Sequence, residues 1–356
     1  MEFPIFDTKS LSDGNEYNLS DPADRHLYFH SKLGTKIEDI KTYLENNTFV
    51  GFMLAKKSAG KGTYSKMFEE IVGADHFAHI SVGDIVRDVH AAIENPAEMN
   101  DLRNYMKKNY RGFISIDEAI AALLNRNQST LIPTELILTL IKREIEKLGR
   151  KALFIDGMPR KLDQISYSLY FRDLINFRYD PDFFILIDVP ESLIELRMKS
   201  RVICPLCNTS RNIRTLPTKF AFYSNEDNVF YLACDNSNCE GYGKARLVGK
   251  EGDSAGIESI RDRLTSDGDL ISMAGTLQNI PKILLRNAVP VNDALGYAEP
   301  YELTPEFYYE QAGEKVCIKE RPLMFKDDEG ADSNSLLAAP MVVSLVTQLH
   351  KILIDK

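Results

Sequence analysis

The sequence predicts an α/β protein with a central parallel β-sheet, and a repeated order of elements carries that prediction. Apolar, strand-like runs at 48–54, 152–156 and 183–189 alternate with stretches of helical pattern. Strands that alternate with helices along a chain join into a parallel sheet, with the helices packed on its faces. Ligands of such sheets bind beyond the carboxyl ends of the strands, so the residues that follow each run are the first candidates for a functional site.

The remaining elements are predicted in chain order. Residues 1 to about 30 are polar without a sustained period and predict a loose arm, and apolar residues at helical spacing then predict a short helix at 35–45. The other predicted elements are a helix at 61–72, a strand at 76–81, a mainly helical stretch at 88–128, a helix at 134–148, a fifth strand at 283–291, a polar and aromatic stretch at 295–334 with a strand-like run at 315–325, and a final helix at 335–354.

The stretch from Phe49 to Thr63 has the pattern of a phosphate-binding loop, because an apolar strand passes through small residues into a helix. In such a loop the backbone N–H groups and the positive end of the helix bind a polyphosphate, while a lysine, here Lys61, reaches its outer phosphates. The full pattern requires glycine where Ala55 stands and Ser or Thr where Gly62 stands. A basic loop that merely begins a helix is therefore the alternative.

Length, composition and charge narrow the class of protein. At 356 residues with 44% hydrophobic content, the chain can form one core domain with insertions, or two domains. The 43 Lys and Arg against 52 Asp and Glu give a net charge of −9, which argues against nucleic acid as a partner. No apolar run reaches the length of a membrane span, and the acidic start lacks the layout of a signal peptide. We therefore expect a cytoplasmic protein without membrane contact.

Charged residues cluster at the predicted strand ends. Asp84 and Asp156 each follow a strand, where a carboxylate can orient water around Mg²⁺ or can simply cap a helix or pair with an arginine. Arg197 and Arg201 are four residues apart in a predicted helix and share one face. Two guanidinium groups facing a phosphate loop suit a clamp on phosphate oxygens, although solvated surface charge remains the alternative.

Four of the five cysteines form two pairs, Cys204 with Cys207 and Cys234 with Cys239. The 26 residues between the pairs are rich in strand formers, and four thiolates at this spacing can close a tetrahedral site around Zn²⁺. Such a closed site holds a small domain together and leaves no position for a substrate. Free or partly buried thiols are the alternative, since the second pair has four intervening residues instead of two.

Three further motifs, together with the loop, give the chain its resemblance to a known family. These are Ile-Ser-Val-Gly-Asp-Ile-Val-Arg at 80–87, Phe-Ile-Asp-Gly-Met-Pro-Arg at 154–160 with Gln164, and Glu-Leu-Arg-Met-Lys-Ser-Arg at 195–201. In order and spacing they resemble the adenylate kinase family of nucleoside monophosphate kinases over about residues 48 to 290. The resemblance implies a three-layer P-loop kinase fold, with a central parallel five-stranded sheet flanked by helices.

The resemblance also implies a division of the chain. Residues 1–46 are an N-terminal extension with a short helix, and the P-loop kinase core covers 47–356. Within the core we expect an insertion at 82–133 that binds the nucleoside monophosphate and a four-cysteine lid at 202–250, which some family members hold together with zinc. The stretch at 295–334 is an extra C-terminal insertion to which nothing in the family carries over.

The site residues implied by the resemblance fall into groups by role. Those expected to act in phosphoryl transfer are Lys61, Asp156, Arg160, Arg201 and Arg263. Those expected to bind ATP are Ser58, Ala59, Gly60, Lys61, Gly62, Thr63, Arg197 and Arg201. Those expected to bind AMP are Val82, Arg87, Gly157, Arg160, Gln164 and Arg263. Those expected near Mg²⁺, through water, are Thr63, Asp84 and Asp156.

These residues imply an ATP:AMP phosphotransferase that uses Mg²⁺, carries structural zinc, exchanges ATP, AMP and ADP, and acts as a monomer. Gln164 matches the glutamine that reads the acceptor adenine, whereas Val82 stands where a threonine usually assists. Kinases that prefer CMP or UMP, and a catalytically weak nucleotide sensor or scaffold of the same fold, remain alternatives. A zinc-ribbon adaptor with an incidental phosphate loop is a weaker one.

Overall fold

The computed structural model describes residues 3–92, 95–124, 132–160, 164–165, 181–313 and 315–355, apart from the side chain of residue 312. Its centre is one parallel sheet of five strands in the order β2-β3-β1-β4-β10. Those strands are β1 (Val50–Ala55), β2 (Phe77–Ser81), β3 (Ala152–Asp156), β4 (Asp182–Asp188) and β10 (Lys282–Arg286). The predicted central parallel five-stranded sheet is confirmed.

Helices cover both faces of this sheet, as the α/β prediction requires. They are α1 (Pro22–Leu33), α2 (Lys36–Asn46), α3 (Lys61–Val72), α4 (Val82–Ala92), α5 (Pro96–Asn109), α6 (Ile116–Leu124), α7 (Thr134–Leu148), α8 (Glu191–Lys199), α9 (Arg261–Thr276), α10 (Ala294–Tyr297) and α11 (Ala338–Leu353). The predicted helical stretch at 88–128 is mainly helical where it is described, in α4, α5 and α6, and its residues 93–94 and 125–128 lie outside the described residues.

Aromatic side chains fill the core on one face of the sheet. Phe49, Phe68 and Phe154 pack within 6.2 Å of one another, measured between ring centroids. Gly51 in β1 makes this packing fit, because a Cβ atom there would lie 2.9 Å from the rings of both Phe154 and Phe183. Dense aromatic packing of this kind fixes β1, and with it the start of the phosphate loop.

The N-terminal segment differs from the loose arm that its polar composition predicted. It contains α1, which begins after Asp21; the carboxylate of this residue accepts hydrogen bonds from the N–H groups of Ala23 and Asp24. Tyr28, Phe29 and Leu33 of α1 are buried in the core. Their spacing of one, four and five residues is helical, and the many polar residues before Pro22 hid this signal from a composition-based reading.

A buried ionic network joins this segment to the C-terminal part of the chain. The Lys32 ammonium lies 3.4 Å from the Glu302 carboxylate, and both side chains are fully buried. Glu302 also accepts hydrogen bonds from the hydroxyls of Tyr28 (2.6 Å) and Thr8 (2.7 Å). The two ends of the sequence therefore fold against each other.

The four-cysteine module lies between α8 and α9 and contains short antiparallel strands. These are β5 (Arg201–Ile203), β6 (Ser210–Asn212), β7 (Ala221–Ser224), β8 (Val229–Leu232) and β9 (Val248–Gly249). The pairing of β5 with both β6 and β9 brings the two ends of the module together.

The C-terminal part departs from a single continuous fifth strand at 283–291. The parallel strand ends at Arg286, and β11 (Val289–Pro290) instead pairs antiparallel with β15 (Asp332–Asn334), which also pairs with β14 (Met324–Lys326). Between them, β12 (Pro305–Ala312) and β13 (Lys315–Pro322) form a long hairpin. Across the described ranges, no helix is long and apolar enough to cross a membrane.

Candidate nucleotide site

The loop between β1 and α3 has the backbone conformation of an anion-binding turn. Gly60 precedes the helix with φ +105°, and Ser58 also lies in the left-handed region with φ +66°. The Lys61 ammonium donates a hydrogen bond to the Ala55 carbonyl at 2.9 Å and lies 3.5 Å from the Asp156 carboxylate. The lysine is thereby folded back across the mouth of the loop, at the carboxyl edge of the sheet.

Parallel pairing explains why distant motifs meet here. Met53 of β1 is in register with Asp156 of β3, so both strands end at the same level. Asp156, Arg160 and Lys61 consequently line one cavity, and α9 contributes Arg263 to its wall. An adjoining open cleft is lined by the loop residues from Lys57 to Thr63. Three of the predicted cations, Lys61, Arg160 and Arg263, thus converge beside one carboxylate.

Asp267, one turn after Arg263 in α9, is a residue of this cavity that the sequence analysis missed. Its carboxylate lies 3.8 Å from the Arg263 guanidinium. Burial raises its pKa, although Arg263, Lys61, Arg160 and the backbone N–H of Lys57 act in the opposite direction. One of its oxygens, Oδ2, is buried without a hydrogen-bond partner among the described residues. Nothing in the sequence around Asp267 distinguishes it from an ordinary surface acid, so no sequence pattern pointed to this position.

A second group of cations surrounds Lys57. Burial lowers the pKa of Lys57, and the neighbouring charges of Arg263, Arg201 and Lys250 lower it further, whereas Asp253 opposes them. Arg201, at the start of β5, donates to Asp253 at 2.6 Å and so joins the two ends of the cysteine module.

Arg197 of α8 binds protein groups beside the phosphate loop, which argues against the alternative of solvated surface charge. Its guanidinium donates to the Ser58 carbonyl in the phosphate loop at 3.5 Å and to the Ser335 hydroxyl at 3.4 Å. Burial lowers its pKa. The prediction that Arg201 shares a helical face with Arg197 is wrong, because the helix ends at Lys199 and Arg201 begins strand β5.

The predicted AMP-binding residues differ in burial. Gln164 is buried, accepts a hydrogen bond from the Arg160 N–H at 2.7 Å and donates to the Thr134 hydroxyl at 2.9 Å. Gly157 has φ +90°, and a Cβ atom there would lie 3.2 Å from both Val82 and the Arg160 guanidinium, so glycine lets Arg160 approach the sheet edge. Arg87, in contrast, is exposed on α4 and pairs with Asp84.

The four cysteines of the two pairs come together. Their sulfur atoms all lie within 4.8 Å of one another, with Cys204 to Cys239 at 3.9 Å and Cys207 to Cys234 at 3.6 Å. A zinc ion with bonds of about 2.3 Å to four sulfurs separates the sulfurs by about 3.8 Å. A hydrogen bond with Thr209 lowers the pKa of Cys207 to about 6, whereas burial raises the pKa of Cys234 to about 12, so the sulfur distances carry the argument for a metal site.

The fold and this site define the class of the protein. A phosphate loop, an acid at the next strand end and arginines from two other elements around one cavity are the parts of a phosphotransferase. A scan against protein-family models finds no match. Among curated proteins, the chain is 31% identical over 211 residues to the adenylate kinase of Thermotoga petrophila, which covers 59% of this chain and 76% of that protein.

Two other curated relatives are also adenylate kinases. The adenylate kinase of Thermotoga maritima is 30% identical over the same length and coverage, and that of Clostridium acetobutylicum is 32% identical over 169 residues, or 47% of this chain and 66% of the relative. The chain belongs to the adenylate kinase family. It is a phosphotransferase, and its relatives identify it as a nucleoside monophosphate kinase.

Proposed function

We propose that the protein transfers the γ-phosphoryl group of ATP to AMP, reversibly, with Mg²⁺. The observation that supports this most is the convergence of Lys61, Arg160 and Arg263 beside Asp156 in one cavity at the carboxyl edge of the sheet. Phosphoryl transfer needs two nucleotides in line and positive charge around the moving group, and little covalent chemistry from the protein. Cations from three separate elements supply that charge from different directions.

On the donor side, the N–H groups of the loop from Ser58 to Thr63 and the N-terminus of α3 bind the phosphates of ATP. The Lys61 ammonium donates a hydrogen bond to the Ala55 carbonyl at 2.9 Å. It exchanges this bond for one to the outer phosphates of ATP. Arg201 contacts the donor from the cysteine module, and its bond to Asp253 orients it. Arg197 supports the loop through the Ser58 carbonyl, next to the place proposed for the donor base.

On the acceptor side, Arg160 and Arg87 hold the monophosphate, and Arg263 neutralises charge in the transition state. The hydrogen bond from the Arg160 N–H to Gln164 fixes both residues relative to each other. Gln164 also contacts Thr134, and this second bond sets the orientation of its amide for reading adenine. Val82 and Gly157 form the apolar floor beside them.

Oxygen donors at the site suit Mg²⁺, which keeps several waters and binds through one or two carboxylates and the substrate phosphates. We assign its waters to Asp156 and the Thr63 hydroxyl, with Asp84 on α4 as a further candidate. When bound, the ion neutralises phosphate charge. Asp156 meanwhile keeps Lys61 oriented, with their charged atoms 3.5 Å apart.

The sulfur distances fit zinc, so we propose that Cys204, Cys207, Cys234 and Cys239 hold one structural Zn²⁺. The ion would stabilise the module at 202–250, which serves as the lid over the donor nucleotide, while 82–133 binds the monophosphate. Four reduced thiols suit a reducing compartment, and we expect the protein to work as a monomer in the cytoplasm.

The test is an acceptor panel in which ATP and Mg²⁺ are incubated with AMP, CMP, UMP or GMP and the products are separated by chromatography. We expect ADP from the AMP reaction at a kcat/KM at least ten-fold above the other acceptors. A preference for CMP or UMP would overturn the choice of AMP and leave the kinase assignment intact. Absence of transfer with all four would overturn the enzymatic proposal.

A nucleotide sensor of the same fold is the second candidate. It is favoured by Ser58 in a strained conformation and by the engagement of Arg197 and Arg201 with protein groups. It predicts that ATP binds, with a calorimetric Kd in the micromolar range, and that none of the four acceptors is phosphorylated.

A further inference from the structure

The C-terminal hairpin β12–β13 packs against the four-cysteine module. The Phe307 N–H donates to the Arg214 carbonyl at 2.6 Å, and the Tyr309 hydroxyl donates to the Ile213 carbonyl at 2.5 Å. The Tyr309 ring also stacks on Phe230 of β8, with centroids 5.7 Å apart. These contacts attach the hairpin to both sheets of the module.

An ion pair reinforces this contact. Arg214 of the module donates through Nε to Glu306 at 2.9 Å, and Arg321 of β13 binds the other carboxylate oxygen at 2.8 Å. Glu306 is buried. Opposing cations hold its pKa below its usual range despite its burial, so the carboxylate is charged. A buried charge with two partners fixes the hairpin in one position on the module.

The segments that flank the hairpin contact the phosphate loop and its neighbours. The Asp328 carboxylate lies 3.9 Å from Lys56 in the loop and accepts a hydrogen bond from the Glu191 N–H at the start of α8 at 3.0 Å. Ser335 contacts Arg197, which in turn donates to the Ser58 carbonyl. One stretch of the chain thus touches both the loop and the module.

A continuous series of contacts joins the two. Ser335 lies 2.9 Å from Thr304, hydroxyl to hydroxyl, and Thr304 directly precedes β12, which carries Glu306. The order is phosphate loop, Arg197, Ser335, Thr304, Glu306 and Arg214 of the module. A lid attached only through its own two chain ends would lack this third attachment.

We propose that the C-terminal insertion positions the module over the phosphate loop, with Glu306 and Tyr309 as positioning residues for the donor nucleotide. Because the hairpin attaches to the module at a third place, besides its two chain ends, it keeps the module close to its working position. Opening the module then requires the hairpin contacts to move or break. The kinetic consequence rests on the proposed function, whereas the mechanical consequence does not. Conformational steps of this kind control substrate affinity and release in many enzymes.

The experiment compares Glu306→Gln combined with Tyr309→Phe against a matched control on the same hairpin. The control is Glu310→Gln combined with Tyr308→Phe; Glu310 pairs with Lys319 within the hairpin, and Tyr308 contacts Arg321. Hydrogen exchange is followed by mass spectrometry in nucleotide-free protein. We expect amides of 201–249 to exchange at least five-fold faster in the first variant, with zinc content and exchange of the central sheet unchanged, and wild-type rates in the control.

Steady-state kinetics supply the second readout. We expect the KM for ATP to rise at least three-fold in the Glu306 and Tyr309 variant, while the KM for AMP stays within two-fold of the wild-type value. Unchanged exchange in the module would overturn the proposal, as would equal rises in both KM values. Tyr309→Phe alone, which removes one hydroxyl, repeats the test if the double variant unfolds. Should the wild type lack turnover, the exchange result still decides the attachment and the proposed function fails separately.

Discussion

At the scale of single residues, the phosphate loop has a side chain where glycine is easier to accommodate. Ser58 has φ +66°, a conformation that costs non-glycine residues roughly 1–2 kcal/mol. Its carbonyl accepts a hydrogen bond from the Arg197 guanidinium, and this bond holds the loop in that conformation. The loop therefore carries local strain that the surrounding contacts offset.

Substitution of Ser58 tests this strain. Ser58→Gly should leave the protein equally stable or up to about 1 kcal/mol more stable, because the relief outweighs the added chain entropy of glycine. Ser58→Val should lower stability by at least about 1 kcal/mol, since β-branched residues fit this region worst. Urea unfolding measures both. A Gly variant less stable than the Val variant would contradict the assigned backbone.

Asp267 gives a pH prediction whose sign follows from its raised pKa. Between the usual value near 4 and the raised value, the folded protein binds more protons than the unfolded chain, so this carboxylate lowers stability as pH rises through that window. Asp267→Asn should thus gain melting temperature relative to wild type at pH 7 and show a smaller gain at pH 4. The exposed Asp269→Asn on the same helix is the control, and a pH-independent difference would count against this assignment.

Sequence reasoning found Lys61, Asp156, Arg160 and Arg263 because each belongs to a motif next to a strand end or in an aligned helix. The structure brings these four together. Asp267 escaped because its role depends on how α9 packs against the loop, which no local pattern encodes. Whether each predicted residue contacts nucleotide remains a prediction.

At the scale of elements, the strands and long helices were predictable because apolar runs and helical spacing are local signals. Helix α1 was not, because the polar residues before Pro22 hid its helical spacing. The pairing of β11 with β15 was not either, since it joins residues 289–290 to 333–334, which no local pattern connects. The Glu302 network shows why: Lys32 and Glu302 meet only in the folded chain, 3.4 Å apart.

Breaking this network should destabilise the attachment of the N-terminal segment. Glu302→Gln leaves the fully buried Lys32 without its carboxylate, and loss of one partner of a buried ion pair costs about 3 kcal/mol. Chemical unfolding should show that loss, and Lys32→Met combined with Glu302→Gln should recover most of it. A loss below about 1 kcal/mol in the single variant would mean that the pair contributes little.

The cysteine module should depend on metal for its fold. Its own core is small, consisting of Leu232, Leu247 and the cysteines with a few partly buried neighbours, so the ion supplies much of its stability. Purified protein should contain one zinc per chain by elemental analysis, and a strong chelator should increase hydrogen exchange across 201–249 while the central sheet stays protected. Less than about half an equivalent of zinc would argue against the site.

At the scale of the whole molecule, the parallel sheet brings the candidate site residues together at the carboxyl ends of its strands. The C-terminal insertion connects the phosphate loop to the cysteine module. The sheet order places β1 between β3 and β4, so the loop lies between the strand that ends in Asp156 and the strand that leads into α8. Family resemblance predicted this arrangement. It could not predict the insertion at 295–334, whose contacts belong to this chain.

The central claim is that Lys61 and the facing arginines form one phosphoryl-transfer site. The most direct measurement is the rate at which ³¹P NMR shows ADP forming from ATP and AMP, for wild type, Lys61→Met and the exposed control Lys107→Met. Loss of a preorganised donor to the moving phosphoryl group predicts at least a roughly 100-fold slower rate in Lys61→Met, with Lys107→Met matching wild type. A Lys61→Met rate within about three-fold of wild type would contradict the site.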